Sequence, residues 1–470
     1  MHPSLVPRLV EIVGRQGVID DPTRLLTYES DSLALVHRPP EIVVLPRTTA
    51  ETARALAVLA EAGVPLVPRG AGTGLSGGAT PIEGGAVIST ARMRDILAVD
   101  AANRFARVQA GVVNHDLDAA CRPHGLRYAP DPSSQKACTL GGNVGNDAGG
   151  PHCLKYGTTS RHVRGLVIVT GEGEVLDLSA PELDPAGYDL VGLFVGSEGT
   201  FGIATEVTVN LVPIAPVVEV ALALYRDLDA ACDSVSNIIA ARLEPSALEI
   251  VDQLTIQAVE SSVLAAGYPK EVGAVLVIEA EGAEVDVAGS IAAMVEICRG
   301  RGALDVRTAR DAGERLRLWA GRKGAFGAMG RVAPDLYVAD AVVPRTRLRE
   351  LVARAVEICA ELDLRLANVL HAGDGNLHPN ICYDRRDPDE VRRVVAAGHR
   401  IMQACVAAGG TLSGEHGIGV EKRDDMRMLF DPVDLEVMDR VRAAWDPGGR
   451  MNPGKVLPAR VRGERPGAGA

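Results

Sequence analysis

The stretch RGAGTGLSGGAT, residues 69–80, holds five glycines in twelve positions. Within it, Gly72, Gly74 and Gly77 fit the pattern G-x-G-x-x-G. In a Rossmann-type turn, that pattern follows a strand, opens a helix and precedes an acidic residue about 20 positions later. Here VPLVPR (64–69) predicts the strand, but a proline and two more glycines follow at positions 81, 84 and 85, so we expect no helix.

This glycine-rich loop could still bind an anion without a helix. Glycine lets the backbone approach a diphosphate closely, and successive N–H groups can then surround the phosphate oxygens. A plain surface loop is an equally good interpretation of these twelve residues taken alone. Only features elsewhere in the chain can distinguish an anion-binding loop from a surface loop.

Length and composition limit the function classes. A chain of 470 residues is too long for one core, which predicts two or three domains. The formal net charge of −12 argues against a nucleic-acid partner, which would need a basic surface. The start lacks a basic region followed by an apolar stretch, and no apolar run of about 18 residues occurs. We therefore expect a soluble cytoplasmic protein, or one attached peripherally to the inner membrane.

Eight cysteines are scattered along the chain, and no two of them form C-x-x-C. In a long chain without a secretion signal, such cysteines are expected to be reduced and mostly buried. They are too dispersed for an iron–sulfur cluster, which needs grouped thiolates. If this protein moves electrons, another centre has to carry them onward.

Hydrophobic periodicity places a boundary at PIAPVV, residues 213–218. Before it, a strand at 41–46, a helix at 48–63 and a strand at 64–70 predict a βαβ unit. Thr48 or Thr49 is the expected N-cap of that helix, and Gly63 the expected stop. Short strands separated by turns then continue to residue 211, with a hairpin at GEGEV (171–175).

Beyond the boundary, strands alternate with long helical patterns, which predicts a second α+β domain. The helical patterns lie at 227–242, 285–299, 346–362 and 387–408. We therefore divide the chain into an N-terminal helical segment (1–36, with a helix at 5–14), a first domain (37–215), a second domain (216–457) and a disordered tail (458–470).

Two further glycine-dense segments follow the first loop. PDPSSQKACTLGGNVGNDAGG (130–150) combines a turn bearing hydroxyl groups with small residues and two asparagines that could bond a heterocycle edge. GSEGTFGIATEVTV (196–209) joins glycines to a strand. Three such segments within about 140 residues favour one large ligand with phosphates and a flat ring over three independent loops.

Long motifs in this sequence resemble one known family. They are PRGAGTGLSGG (68–78), the 130–150 segment continued to Gly157, GSEGTFGI (196–203), HAGDGNLHPN (371–380), SGEHGIG (413–419) and MNPGK (451–455). Such motifs are typical of flavin-dependent oxidoreductases of the vanillyl-alcohol oxidase type, in the branch of glycolate oxidase FAD subunits and D-lactate dehydrogenases. The resemblance implies an α+β fold, with a two-subdomain FAD-binding domain and a ferredoxin-like α+β substrate (cap) domain whose last part returns to the flavin.

The resemblance favours an anion-binding role for residues 69–80 over a plain surface loop, since in this family the first loop holds the FAD pyrophosphate without a Rossmann turn. The other two segments would hold the isoalloxazine, ribityl and adenine portions. His152 is a conceivable covalent anchor, but this branch implies non-covalent FAD. The expected cofactor residues are Arg69, Gly70, Ala71, Gly72, Thr73, Gly74, Leu75, Ser76, Pro132, Ser133, Gly141, Gly142, Asn143, Asn146, Gly149, Glu198, Gly202, Ile203 and Asn452.

The second domain carries candidate metal ligands. His371 and His378 flank a glycine turn, and Glu415 lies beside His416 in SGEHGIG. Two histidines and a carboxylate suit a divalent metal, although histidines at this spacing are more often structural. The resemblance favours zinc or manganese held by His371, His378 and Glu415. His416 is then the expected general base and substrate contact, with a fourth ligand or a residue behind the ligands as the alternative.

A cation should hold the substrate carboxylate. Arg322 is the candidate implied by the resemblance, although an arginine beside Lys323 could equally lie on a solvated helix face. Asn380 could bond the carboxylate or the hydroxyl. Relatives that accept dicarboxylic substrates have a polar residue where this chain has Phe326, which favours glycolate or D-lactate over D-2-hydroxyglutarate.

Three function classes remain open from the sequence. The first is an FAD-dependent dehydrogenase of D-2-hydroxy acids, glycolate or D-lactate, with a D-2-hydroxyglutarate dehydrogenase-like enzyme as a variant. The second is a flavin subunit active only within a multi-subunit glycolate oxidase, and the third a non-redox metal-dependent hydrolase. The expected electron acceptor is a quinone, a cytochrome or an iron–sulfur subunit, and the chain could form a homodimer or join other oxidase subunits.

Overall fold

The computed structural model describes residues 5–179 and 187–459. Of the predicted disordered tail, residues 460–470 lie outside the described residues. The chain divides into two compact units. The first comprises Met1–Gly149, Thr158–Ile214 and Glu415–Ala470, and the second comprises Gly150–Gly157 and Ala215–Gly414.

Helices and strands are numbered in chain order. The helices are α1 Leu5–Val13, α2 Pro22–Leu25, α3 Thr49–Glu61, α4 Asn114–Cys121, α5 Leu140–Asn146, α6 Cys153–Tyr156, α7 Leu190–Phe194, α8 Leu228–Ala240, α9 Gln253–Glu260, α10 Glu284–Gly300, α11 Ala312–Ala328, α12 Leu348–Glu361, α13 Pro388–Ala407, α14 Met426–Leu429 and α15 Pro432–Trp445. The strands are β1 Val18–Ile19, β2 Ile42–Val44, β3 Leu66–Arg69, β4 Ala86–Ser89, β5 Ile96–Asp100, β6 Phe105–Gln109, β7 Leu126–Arg127, β8 Val163–Val169, β9 Val175–Asp177, β10 Ile203–Asn210, β11 Val212–Pro213, β12 Val217–Tyr225, β13 Ala247–Asp252, β14 Ala274–Gly282, β15 Asp305–Thr308, β16 Asp335–Val338, β17 Ala341–Val342, β18 Arg365–His371 and β19 Asn376–Tyr383.

A four-stranded sheet in the first unit has the order β1-β2-β4-β3, and β4 runs parallel to both neighbours. Helix α3 connects β2 to β3. The Thr48 side chain accepts the N–H of Glu51 at its start, and Gly63 follows its end with φ of 65°. The predicted strand, helix and strand are confirmed, but the two strands are not neighbours because β4 lies between them.

The second sheet of the first unit is five-stranded and antiparallel, in the order β5-β6-β10-β8-β9. Strands β8 and β9 form the predicted hairpin. Inward-facing residues such as Val108, Leu166, Ile168 and Val207 form its core. Helix α5 packs on β10 and was not predicted, because its sequence LGGNVGN is rich in glycine; the Thr139 side chain accepts the N–H of Gly142 and caps it.

The second unit is built on one antiparallel sheet in the order β15-β12-β14-β13-β18-β19-β16, with β17 also pairing β19. Its first part, β12-α8-β13-α9-β14-α10-β15, is a βαββαβ arrangement with the additional helix α9 between its second and third strands, and these strands lie in the order fourth, first, third, second. That is the ferredoxin-like topology predicted for this domain. The hairpin β18–β19 then extends the sheet from β13.

One face of this sheet changes from apolar to polar along the strands. Val251, Val277 and Val369 pack in a core that includes Leu318 of α11. Side chains two residues apart in a strand share a face, and directly paired residues do so as well. Glu249 precedes Val251 by two and pairs with His371, so both lie on the face covered by α11. This polar end of the sheet carries the candidate site.

The long predicted helices of the second unit are confirmed as α8, α10, α12 and α13, within two residues at each end. All eight cysteines are free thiols, and all but Cys153 are buried. Within the described parts of the chain, no helix is both long and apolar enough to cross a membrane.

Candidate active site

The glycine-rich loop presents a row of backbone N–H groups that the protein does not use. Within the described residues, none of the N–H groups of residues 70–78 donates a hydrogen bond. Gly72 and Gly77 have φ of 73° and 79°, a region that glycine occupies without steric cost. A Cβ atom on Gly72 would lie 2.2 Å from the Arg69 guanidinium. The loop thus has the donors and the close approach of an anion cradle, as a diphosphate requires.

The C-terminal segment of the first unit, which begins at Glu415, holds this loop in place through hydrogen bonds. The Ser76 hydroxyl donates to the carbonyl of His416 at 3.0 Å. The carbonyl of Gly78 accepts from Asn452 Nδ2 at 2.9 Å and from Lys455 Nζ at 2.7 Å. The shape of the loop therefore depends on residues far along the chain.

Buried charges surround the same loop. Burial lowers the pKa of Lys455 to about 7, although the carboxylates of Asp31 and Glu198 oppose the shift. Burial also lowers the pKa of Arg69, whose Nη1 donates to the carbonyl of Ser30 at 2.8 Å. The Asp31 carboxylate accepts the N–H of Ala79 at 3.2 Å, and burial raises its pKa. Anionic groups of a ligand would find the half-buried Arg69 guanidinium and the buried Lys455 amine here.

Glu198 holds the loop that carries the candidate base. Its carboxylate accepts the N–H groups of Ile418 and Gly419, both at 2.7 Å. Burial raises the pKa of this carboxyl group, while the two hydrogen bonds oppose the shift. Glu198 has φ of 51°, which is unusual for a residue other than glycine. The carboxylate of this expected cofactor residue is therefore engaged by the protein itself.

The remaining expected cofactor residues also lie in the first unit. The Asn143 Oδ1 accepts from Asn114 Nδ2 at 3.0 Å, and Asn146 Nδ2 donates to the carbonyl of His416 at 2.9 Å. Gly141 packs against Ala110, where a Cβ atom would lie 2.8 Å from the Ala110 methyl. Pro132 and Ser133 lie at a turn, Gly149 ends the first stretch of the unit, and Gly202 and Ile203 lie at the start of β10.

In the second unit, the hairpin β18–β19 brings the two candidate histidines together. His371 ends β18, His378 lies within β19, and their rings meet edge to face with centroids 5.0 Å apart. Both side chains are buried. Asp340 Oδ1 lies 3.8 Å from His378 Nδ1, while its Oδ2 accepts from the Ser413 hydroxyl at 2.6 Å. Two buried imidazoles, each close to a carboxylate, offer nitrogen donors of the kind that transition metals bind.

The carboxylate beside His371 belongs to Glu249. Its two oxygens both lie 2.9 Å from His371 Nδ1. Arg322 Nη2 lies 2.5 Å from Glu249 Oε2 and 3.2 Å from His371 Nδ1. Arg322 is 3% exposed, so it does not lie on a solvated face, and its Nε has no hydrogen-bond partner among the described residues. That unsatisfied buried donor suits an anionic ligand.

Two further predicted residues lie in this unit. The Asn380 Nδ2 donates to the carbonyls of Ala367 and His378 at 3.2 and 2.7 Å, so its Oδ1 is the atom left for a ligand. Phe326 follows Arg322 by one turn of α11 and is 44% exposed.

His152 lies in a second buried polar cluster of this unit. Its Nε2 is 2.8 Å from Glu279 Oε1, which also accepts from the Ser246 hydroxyl at 2.8 Å. Trp319 Nε1 donates to Glu279 Oε2 at 2.6 Å. Burial alone would raise the pKa of Glu279, but His152 and the other donors lower it overall. His152 therefore has a structural partner.

Sequence reasoning missed Glu249, Glu279 and Asp340. The two glutamates interrupt apolar strand runs, in ALEIVD and AVLVIEAEG, at positions that would otherwise be buried and apolar. A charged residue inside such a run signals a buried partner. Asp340 had no comparable signal. The structure groups His371, His378, Arg322 and Asn380 in the second unit, while Glu415 and His416 open the segment that belongs to the first.

Comparison with known protein families finds two matching models. Residues 40–179 match an FAD binding domain, and residues 214–456 match the C-terminal domain of FAD linked oxidases.

Similar proteins match along nearly the whole chain. Glycolate oxidase subunit GlcD of Escherichia coli K12 is 44% identical, with 97% of this chain and 91% of that protein covered. GlcD of Bacillus subtilis is 39% identical, with 96% of each covered. A D-lactate dehydrogenase of Anaerostipes hadrus is 33% identical, with 97% of each covered. Among solved structures, p-cresol methylhydroxylase with substrate bound has a TM-score of 0.83 at 16% identity, with 97% of this chain and 96% of that chain covered.

Proposed function

Because this chain belongs to the FAD-linked oxidase family and is an FAD-dependent oxidoreductase, we propose that it oxidises a small D-2-hydroxy acid, glycolate or D-lactate, to the 2-oxo acid. Oxidation of a hydroxy acid is the coarser activity that its relatives share by name. Bound FAD supplies the acceptor, flavin N5, for the hydride that leaves the α-carbon. The observation that carries the proposal is the buried group of Arg322, His371 and His378 on one face of a sheet.

In this proposal, Arg322 holds the substrate carboxylate. Its burial and its unsatisfied Nε–H favour an anion, and a guanidinium can bond both oxygens of a carboxylate at once. Asn380 Oδ1 accepts a hydrogen bond from the substrate hydroxyl in the resting complex, and this bond is lost when the proton passes to His416. Phe326 makes the neighbourhood apolar, which disfavours the second carboxylate of D-2-hydroxyglutarate.

The hydroxyl proton has to leave as the hydride does. A divalent ion bound by His371, His378 and Glu415 would lower the pKa of the substrate hydroxyl, as it does for water. His416 takes that proton as general base, a role typically worth about 10²–10⁴-fold in rate. The hydrogen bonds from Ser76 and Asn146 to its carbonyl support a fixed position for this histidine. The products are the 2-oxo acid, reduced flavin and one proton on His416.

A second candidate is a flavin subunit that acts only within a larger complex. It is favoured by the names of the relatives at 44% and 39% identity, which are called subunits. Electrons would then pass to an iron–sulfur subunit, and otherwise to a quinone or a cytochrome. Membership in an FAD-linked family leaves the metal-dependent hydrolase without support.

The substrate is tested by mixing the oxidised protein anaerobically with D- and L-2-hydroxy acids in a stopped-flow instrument. We expect glycolate or D-lactate to bleach the flavin, and D-2-hydroxyglutarate to react much more slowly. Bleaching by L-isomers alone would contradict the proposal.

The metal and the base are tested on the same half-reaction. Removal of metal with a chelator should leave the flavin spectrum intact but abolish reduction by substrate, and zinc or manganese should restore it. The variant His416→Ala should keep metal and FAD while flavin reduction slows by about 10²-fold or more. Normal reduction of flavin in metal-free protein would refute the metal role. Loss of bound metal from His416→Ala would make that residue a ligand.

A further inference from the structure

The strand residue Glu249 touches both a candidate metal ligand and the candidate carboxylate-binding arginine. We propose that Glu249 is a positioning residue that orients His371 for the metal and Arg322 for the substrate carboxylate. This inference rests on the proposed function. It adds a residue that reaches neither substrate nor flavin in that mechanism.

The contact with His371 comes from the sheet itself. Glu249 of β13 is paired directly with His371 of β18, so the two side chains stand side by side on one face. Both carboxylate oxygens lie 2.9 Å from Nδ1. A carboxylate at Nδ1 favours the proton on that nitrogen and leaves Nε2 for the metal, as commonly occurs behind metal-binding histidines. Arg322 Nη2, which lies 3.2 Å from the same nitrogen, then donates to Glu249 and not to the ring. Glu249 therefore fixes both the tautomer and the orientation of the ring.

The contact with Arg322 fixes the second ligand-binding group. Nη2 of Arg322 lies 2.5 Å from Oε2 of Glu249, and both side chains are nearly inaccessible to solvent. A guanidinium buried without a carboxylate would be strongly disfavoured and would turn away. One carboxylate thus holds two groups whose separation must match a 2-hydroxy acid bound at both ends.

The same sheet face offers a matched comparison. Glu279 on the adjacent strand β14 is also buried, but it bonds His152, Ser246 and Trp319 instead of the site residues. Replacement of either glutamate by glutamine removes one buried carboxylate with little change of shape. Only Glu249→Gln should affect the metal and the substrate carboxylate.

The experiment compares holoenzyme of the wild type, Glu249→Gln and Glu279→Gln. Zinc affinity is measured by competition with a chelator, which does not depend on turnover, and KM and kcat are measured with the hydroxy acid that the wild type oxidises. For Glu249→Gln we expect zinc affinity to fall about 10–100-fold and KM to rise about tenfold, with FAD content unchanged. For Glu279→Gln we expect wild-type zinc affinity.

The outcomes separate this inference from the proposed function. Wild-type zinc affinity and KM in Glu249→Gln would overturn it. If the wild type neither binds zinc nor needs metal, the metal role fails, and the KM of Glu249→Gln alone decides whether Glu249 positions Arg322. If Glu249→Gln fails to fold, Glu249→Asp keeps the charge but withdraws the carboxylate, and unchanged zinc affinity and KM in that variant would overturn the inference.

Discussion

At the scale of single residues, burial changes the protonation of the Lys455 amine. Its pKa is about 7 in the folded protein and 10.5 in an ordinary lysine. Between these pH values the unfolded chain carries a proton that the folded chain lacks, so the free energy of unfolding rises with pH. From pH 7 to pH 9 we expect the flavin-free wild type to gain about 2 kcal/mol relative to Lys455→Met, measured by urea unfolding.

The comparison with Lys455→Met removes the contributions of all other titrating groups, which are common to both proteins. A stability difference that stays constant between pH 7 and pH 9 would mean that Lys455 remains charged when folded. Its hydrogen bonds to Gly78 and Asn452 would then have to offset the cost of burial.

At the scale of elements, the glycines of the loop 69–78, which we propose holds the FAD diphosphate, differ in backbone conformation and surroundings. Gly74 is not in the left-handed region, and the nearest described atom that a Cβ would meet is Asp31 Oδ2, at 3.8 Å. We expect Gly74→Val to fold normally but to lose FAD, because a branched side chain in this loop would hinder the close approach of a diphosphate to the backbone N–H groups. FAD content and far-ultraviolet circular dichroism of the purified variant check this.

Gly72→Ala provides the contrast within the same loop. Its Cβ would collide with the Arg69 guanidinium, and its φ is positive, so this variant should lose stability as well as FAD. Full FAD occupancy in Gly74→Val would remove the loop from the cofactor site.

At the scale of the whole molecule, the chain has the α+β, vanillyl-alcohol-oxidase-type fold that its motifs predicted. All the proposed groups for the half-reaction belong to this one chain. We therefore expect the purified chain alone to undergo complete anaerobic flavin reduction by substrate. Sustained turnover should require an added acceptor such as a soluble quinone. Flavin that stays oxidised until partner subunits are added would favour the second candidate function.

The sequence by itself determined what depends on near neighbours along the chain. Helix α3 begins and ends where Thr48 and Gly63 predict, because a cap and a left-handed stop act within one turn. The alternation of strands with helices, and the glycine turn of the hairpin β18–β19, likewise depend on residues close together in the sequence. Long motifs also identified the family, and with it the FAD-binding fold.

Only the tertiary structure decided which distant side chains meet. The register of β13 against β18 pairs Glu249 with His371, and no sequence spacing records that register. Burial of Arg322 and Glu198, and the anchoring of the 70–78 loop by Asn452 and Lys455, likewise depend on packing between segments far apart in the chain. Periodicity fixes the face of a strand that a residue occupies, but the partner on that face is set by how the strands and helices assemble.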